Sequence, residues 1–362
     1  MTEQPSDTSR AWVEIDLGAL RRNGAAIARH AGVPLLPMVK ADAYGLGAVA
    51  AVRALEPLSP WGYGVATTHE GRALREAGVE RPLLIFTPIL PCEFPAARAA
   101  RLTPVLGDAG AIGEWIESGG GSWHLGIDTG MARAGIRWDR VGELDALLRA
   151  LPPEGACTHF QNGSDAASVS AQRERFGIAV AMLPKRPSLL HAENGPAVEH
   201  LDGSSNMAFV RPGIFLYGVS SGHESRLTPE PVVSLRARVV EVRTVPDGAG
   251  VSYEETWRAR GPRRIATLSI GYADGYRRAL SSRGVVLVNG VRAVVAGLVT
   301  MDMTMVDVTA AACAPGDVAT LIGAAGPDRL TVADVAAIAE LSPYELLTGL
   351  GPRVPRIYQE AA

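Results

Sequence analysis

Short apolar runs alternate with helical patterns through the first two-thirds of this chain, and that alternation limits the fold more than any single residue does. The runs fall at 33–39, 61–65, 82–86, 103–106, 122–127, 155–160, 187–192 and 208–211. Between them come helical stretches such as Thr68–Ala77, Asp108–Ser118, Arg140–Ala150 and Asp165–Leu183. Strand-then-helix repetition is the signature of a parallel sheet covered by helices, and eight such units in roughly 200 residues is the arithmetic of a (β/α)₈ barrel. A further helix precedes them: Asp16 is placed to cap it, Leu17, Leu20 and Ile27 share one face, and Gly32 ends it.

The pattern changes near Pro229-Glu230-Pro231. Beyond it the runs read as strands: Val232–Val245, Arg264–Ile270, Val285–Val288, Arg292–Ala296, Met303–Thr309 and Val318–Ile322. Asn289-Gly290 supplies the positive φ angles of a type I′ hairpin turn. Thr331 caps a helix over Val332–Glu340, and Ser342-Pro343-Tyr344-Glu345 has the spacing of a capping box. The expected fold class is α/β, a TIM-type barrel over 11–231 followed by a β-rich C-terminal domain over 232–362.

Composition narrows the functional classes. Lys and Arg number 35 against 38 Asp and Glu, a net charge of −3 with no basic block, so nucleic acid is not an expected partner. No segment approaches the ~18 uninterrupted apolar residues of a membrane span. The stretch Met1–Arg10 is polar and lacks an apolar signal core, which points to the cytoplasm. Cys92, Cys157 and Cys313 are too few and too scattered for a disulfide framework or a metal site. Cys157, two residues before His159, reads as a small buried hydrophobe rather than a nucleophile.

In a (β/α)₈ barrel the active site gathers at the carboxyl ends of the strands. Lys40 and Tyr44 follow the first expected strand, Arg133 the fifth, and His159 ends the sixth. His191 and Asn194 lie at and just after the seventh, and Arg211 ends the eighth. Taken singly, each admits an ordinary role: a snorkelling lysine, a satisfied core histidine, an ion-paired arginine. Gly195 and Gly213 follow the last two strands, where barrels often form a phosphate cup from backbone N–H groups. A phosphate cup near a rim lysine points to pyridoxal phosphate, whose aldehyde needs an amine and whose phosphate needs anchoring.

Seven segments, in order across both expected domains, resemble the alanine racemase family of fold-type III enzymes. They are Val39-Lys40-Ala41-Asp42-Ala43-Tyr44-Gly45, Ile127-Asp128-Thr129-Gly130-Met131, Thr158-His159-Phe160, Arg211-Pro212-Gly213-Ile214, Gly271-Tyr272-Ala273-Asp274-Gly275-Tyr276, Thr300-Met301-Asp302 and Arg353-Val354-Pro355-Arg356. The resemblance implies a pyridoxal-phosphate-dependent racemase of L- and D-alanine that supplies peptidoglycan synthesis. Lys40 would hold the cofactor and serve as one acid–base group, and Tyr272 would be the other, on the opposite face of the α-carbon. His159 would lie beside Tyr272, and Arg211 would face the pyridine nitrogen. Tyr44, Asn194, Gly195, Gly213 and Ile214 would surround the phosphate. Arg133 would orient the cofactor's phenolic oxygen and the substrate carboxylate, which the backbone at Met301 would also contact. Tyr272 and Met301 would enter the site of a partner subunit in a head-to-tail homodimer.

Three positions depart from the family's best-known members. Gly126 stands where many carry a lysine that positions the arginine at 133; Gly195 replaces a serine that contacts phosphate; Pro352 replaces a tyrosine near the substrate. Loss of that ring implies a looser pocket that accepts serine after alanine. Two other readings compete with this one. A decarboxylase or aldolase on the same barrel has no need of the segment around Tyr272, and a non-catalytic cofactor carrier resembles the barrel alone.

Overall fold

The computed structural model describes residues 5, 6, 8–201, 206–220 and 226–360. It divides into two compact units: Leu20–Glu230, and the chain up to Ala19 together with the chain from Pro231 onward.

In the first unit a parallel sheet runs in the order Tyr63–Val65, Leu83–Ile85, Leu102–Leu106, His124–Asp128, Gly155–Cys157 and Leu189–His191. Parallel single-residue bridges close the ring: Met38 to Gly64, Leu35 to Val210, and Asn194 to Arg211. The first and last expected strands are therefore present as extended segments with sparse pairing. Pro34 and Pro37 explain the first, since neither has an N–H to donate, although both carbonyls accept, from Val210 and Gly64 respectively. Both faces of these strands are covered; Leu83, Leu84, Ile85, Leu125 and Ala156 are wholly buried.

Three of the expected helices bear out the spacing read from sequence, whereas Arg140–Ala150 is divided between a 3₁₀ stretch, Trp138–Leu144, and a short α-helix, Asp145–Ala150. Thr68–Glu76 starts at the N-cap Thr67 and buries Thr68, Gly71 and Leu74. Ala109–Glu117 is capped by Asp108 and buries Ile112 and Trp115. Ala166–Ala181 is capped by Asp165 and buries Val169, Gln172, Phe176, Ala179 and Val180, one face at three- and four-residue intervals.

The second unit is a β structure built on the long strand Val233–Val245. That strand pairs with Arg263–Leu268 on one side, and with both Val318–Ala325 and Ala11–Asp16 elsewhere along its length. The path Val318–Ala325, Val285–Val288, Val291–Val295, Thr304–Asp307, Arg263–Leu268 and back to Val233–Val245 is a closed antiparallel ring. The hairpin turns at Asn289 (φ 48°) and Gly290 (φ 78°), the expected type I′ geometry. Thr331 and Ser342 cap Val332–Ile338 and Pro343–Thr348.

One boundary differs from the expected 11–231. Asp16 does cap the helix Leu17–Ala31, its Oδ1 accepting the Ala19 N–H at 2.8 Å. The residues before it, however, form the strand Ala11–Asp16, which pairs antiparallel with Val233–Val245 and parallel with Arg356–Gln359. Trp12, Val13 and Ile15 bury there, so this segment belongs with the β-rich unit rather than the barrel.

Candidate active site

Lys40 follows the buried Val39 and begins a turn of unusual hand. Ala41, Asp42, Ala43 and Tyr44 all have φ between 51° and 59°. Left-handed backbone costs a residue with a Cβ about 1–2 kcal/mol, so four in succession persist only under strong local restraint. The restraints are visible. The Ala43 N–H donates to the Val39 carbonyl (2.9 Å) and the Gly47 N–H to the Asp42 carbonyl (2.8 Å). Asp42 Oδ1 accepts the Ala48 N–H at 2.7 Å, and Glu70 Oε1 accepts the Ala41 N–H at 2.8 Å. Tyr44 packs on Tyr217 with ring centroids 4.7 Å apart, and the Tyr217 hydroxyl donates to the Met38 carbonyl at 2.8 Å.

The turn carries Tyr44 against the chain after the last barrel strand. A Cβ at Gly213 would lie 2.5 Å from Tyr44 Oη, so only glycine permits this approach. The bridge between Asn194 and Arg211 sets the two neighbouring loops side by side. Asn194 braces its own loop: Oδ1 accepts the Ala197 N–H at 3.3 Å, and Nδ2 donates to the Phe160 carbonyl at 3.2 Å. Gly195 and Ile214 begin the short helical turns Gly195–Val198 and Ile214–Tyr217. Tyr44, Asn194, Gly195, Gly213 and Ile214 are thus gathered at one rim.

Arg211 is buried, and both Nη groups of its guanidinium are committed to fixed acceptors, which leaves the Nε–H as its fifth donor. Nη1 donates to His191 Nδ1 (2.6 Å) and to the His191 carbonyl (3.0 Å). Nη2 donates to the carbonyls of Thr158 (2.6 Å) and Ala192 (3.0 Å). A guanidinium only donates, so His191 must accept at Nδ1 and carry its proton on Nε2. That proton faces His124 Nδ1 at 2.7 Å, which makes His124 the same tautomer. Both rings are neutral: burial first, then Arg211, holds His191 well below the usual histidine range and His124 at about 3. His191 therefore supports Arg211 from inside the barrel rather than lining the rim. His124 was not anticipated; the one signal was a polar residue inside an otherwise apolar strand.

His159 reaches solvent at the rim, yet its pKa is lowered, first by partial burial and then by Arg211, Arg133 and Lys40. The Lys40 amine is likewise lowered, by burial and then by Arg133, with Glu70 opposing both. Arg133 and Arg211, with Lys40 whenever it is protonated, thus share one mouth beside a neutral His159, and their field favours a phosphate and a carboxylate. Cys157 is buried and pushed up to about 11, so its thiol stays protonated.

Arg133 is exposed and has no hydrogen-bond or ion-pair partner among the described residues. Its loop is nonetheless fixed, because Asp128 Oδ1 accepts the N–H groups of Gly130 (2.9 Å), Met131 (2.9 Å) and Ala132 (3.1 Å). Gln172 donates to Thr129 Oγ1 (2.9 Å), and Arg175 to the Thr129 carbonyl (2.9 Å). Gly126 offers no side chain toward Arg133, so order at this loop comes from backbone and helix contacts.

The β-rich unit presents Tyr272 and Met301 together. The Tyr272 N–H donates to the Thr300 carbonyl (2.9 Å), and the Ala273 N–H to the Met301 carbonyl (3.0 Å). A Cβ at Gly271 would sit 2.3 Å from the Thr300 oxygen, which explains the glycine before the tyrosine. Asp274 Oδ2 accepts the Gly271 N–H at 2.9 Å, while Arg353 donates to Asp274 (3.0 Å) and to Asp302 (2.8 Å). Tyr272 is 41% exposed and Met301 53%, large apolar surface for residues held so firmly. Among the described residues no group of His, Cys, Asp or Glu is arranged to hold a metal ion, and no helix is long and apolar enough to cross a membrane.

Comparisons with known proteins agree with this layout. The family model described as alanine racemase, N-terminal domain, matches residues 15–221, and that described as alanine racemase, C-terminal domain, matches residues 232–358. The alanine racemase of Carboxydothermus hydrogenoformans is 38% identical over 367 residues, spanning 96% of this chain and 99% of that protein. That of Deinococcus deserti is 38% identical over 360 residues, again 96% and 99%. The crystal structure of alanine racemase from Bacillus anthracis with bound L-Ala-P superposes with a TM-score of 0.92 at 30% identity, covering 99% of this chain and 96% of that one. The Bartonella henselae structure, with covalently bound pyridoxal phosphate, gives 0.89 at 29% identity over 97% and 100%.

Proposed function

Because this chain belongs to the alanine racemase family, we propose that Lys40 and Tyr272 are its two acid–base groups. The protein is an isomerase that depends on pyridoxal phosphate and interconverts L- and D-alanine. The observation that carries the residue assignment is the restrained left-handed turn, which sets a partly desolvated amine at the barrel mouth. The residues fit the cofactor: an amine of lowered basicity, a cradle at Gly213 that a Cβ would fill, and a buried guanidinium donor.

When bound, pyridoxal phosphate supplies the electron-withdrawing ring that acidifies the α-hydrogen of an amino acid. Lys40 would hold it through Nζ, and the lysine amine is free to act as a base once the substrate amine has taken its place. Tyr44, Asn194 and the backbone of Gly195, Gly213 and Ile214 hold its phosphate. Arg211, its Nη groups pinned by His191 and three carbonyls, would offer its Nε–H to the ring nitrogen without surrendering a proton. Arg133 and the backbone at Met301 orient the substrate carboxylate. Lys40 and the Tyr272 hydroxyl then take a proton from one face of Cα and return one to the other, with His159 beside the phenol. Tyr272 and Met301 serve the barrel of a second chain in a head-to-tail homodimer, which fits their exposure on the β-rich unit. The site of action is the cytoplasm, and the product feeds peptidoglycan synthesis.

The test is substitution with two readouts, cofactor retention and exchange of the α-hydrogen with solvent. Lys40→Ala is expected to lose covalently attached cofactor, and Tyr272→Phe to keep it while proton transfer slows about 10²–10⁴-fold. Undiminished racemisation of both enantiomers by Tyr272→Phe would overturn the assignment. A wider amino-acid specificity is favoured by Pro352, which is exposed and brings no aromatic ring to this position. L-Serine is therefore expected as the second substrate by kcat/KM; no detectable serine turnover defeats that extension.

A further inference from the structure

Glu70 belongs to the helix Thr68–Glu76 but acts beyond it. In a capping box the third helical residue reaches back to the N-cap backbone. Glu70 Oε2 does so, accepting the N–H groups of Ala66 (2.7 Å) and Thr67 (3.4 Å). Its other oxygen, Oε1, leaves the cap and accepts the Ala41 N–H at 2.8 Å. Ala41 is the residue directly after Lys40 and the first of the left-handed turn. One carboxylate therefore ties the loop after the strand Tyr63–Val65 to the segment that presents the lysine.

We propose that Glu70 is a positioning residue for Lys40, holding the peptide that follows the lysine so that the amine is aimed into the barrel mouth. The proposal rests on the reading of Lys40 as the cofactor lysine. The first N–H of a helical turn has no partner within that turn, so the left-handed segment needs an external acceptor at Ala41. An ionised carboxylate is the strongest acceptor a protein offers there. Charge gives Glu70 a second effect on the same group. Around Lys40 lie Arg133 and His159; Asp42, on the turn itself, has one oxygen committed to the Ala48 N–H. Glu70 is the acid that counters burial and Arg133 at the amine.

Glu70→Gln tests both effects in the full chain. The amide keeps the shape and one acceptor oxygen, but its NH₂ must face either Ala41 or Ala66, and the charge is gone. Thr67→Ala is the comparison, because it breaks the same capping box without touching Ala41. Cofactor-depleted protein is titrated with pyridoxal phosphate across a range of pH, followed by visible absorbance, and Tm is recorded for each variant. Glu70→Gln is expected to weaken cofactor attachment about tenfold or more. It should also move the acid limb of attachment down by about one pH unit, because the amine loses its counter-charge. Thr67→Ala should lower Tm and change neither. Wild-type affinity and an unmoved acid limb in Glu70→Gln overturn the proposal, as does an equal loss in Thr67→Ala, which would make Glu70 an ordinary cap. If Glu70→Gln does not fold, Glu70→Asp serves: its shorter arm keeps the charge, so attachment should weaken with little movement of the acid limb, and wild-type affinity refutes the idea. Lys40→Ala separates the two levels. Attachment surviving there sinks the lysine assignment itself, whereas attachment lost there but intact in Glu70→Gln sinks this inference alone.

Discussion

At Lys40, burial and Arg133 act in the same direction, and both make the neutral amine easier to reach. The residue was conspicuous in the sequence because it ends an apolar run; its environment became visible only when Arg133, ninety-odd positions on, came to the same mouth. The histidines of the barrel interior show a sharper version of this dependence. His124 falls from 6.5 to about 3 on burial, and His191 falls well below its ordinary value, so both fold as neutral rings. Between these values the unfolded chain binds more protons than the folded one, and stability rises with pH. For His124 this loss of stability sets in as pH falls below ~6.5 and grows toward ~3, and His191 acts in the same direction. Thermal unfolding of wild type and His124→Asn over pH 4–8 reads this directly. The slope should flatten in the variant, and identical slopes would remove the histidine pair as its cause.

Elements differed in how much they disclosed. The N-caps Asp16, Thr331 and Ser342 act as the sequence indicated, because capping is a contact among residues two or three apart; Thr67, Asp108 and Asp165 cap their helices by the same local rule. The Asn289-Gly290 hairpin formed for the same reason. The strand Ala11–Asp16 did not disclose itself, since its partners lie more than two hundred residues downstream and nothing local marks the pairing. The left-handed sign of Ala41–Tyr44 was equally hidden: alanine and aspartate favour the opposite hand, and tertiary contacts override them. Arg353 works between elements, joining the Tyr272 turn through Asp274 to the Met301 loop through Asp302. Its side chain is half exposed, so the ion pairs add little to stability, and Arg353→Ala should leave Tm within a few degrees. With this side-chain tie gone and only the backbone hydrogen bonds still joining the two loops, kcat should nevertheless drop about tenfold, a loss consistent with a misplaced reacting group. Steady-state kinetics beside calorimetry decides this; an unchanged kcat would mean the Tyr272 turn holds without the bridge.

For the whole molecule, the proposed pairing of Lys40 with Tyr272 predicts a site that one chain does not complete. If Lys40 and Tyr272 meet across two subunits, a hybrid of Lys40→Ala with Tyr272→Phe has one site bearing both lesions and one bearing neither. Random mixing of the two inactive homodimers should then restore about one quarter of wild-type activity, the share of undamaged sites expected for a twofold dimer. No recovery, with hybrid dimers demonstrated, would place both residues in the same chain's site. The sequence by itself determined the alternation of strand and helix, the β-rich continuation, the local caps and the order of chemically active residues. All of these depend on residues within a turn or two of one another. Only the tertiary structure decided where the opening strand pairs, which hand the lysine turn takes, and how His124, His191 and Arg211 share protons. Those outcomes depend on burial and on partners distant in sequence, and a linear string carries neither.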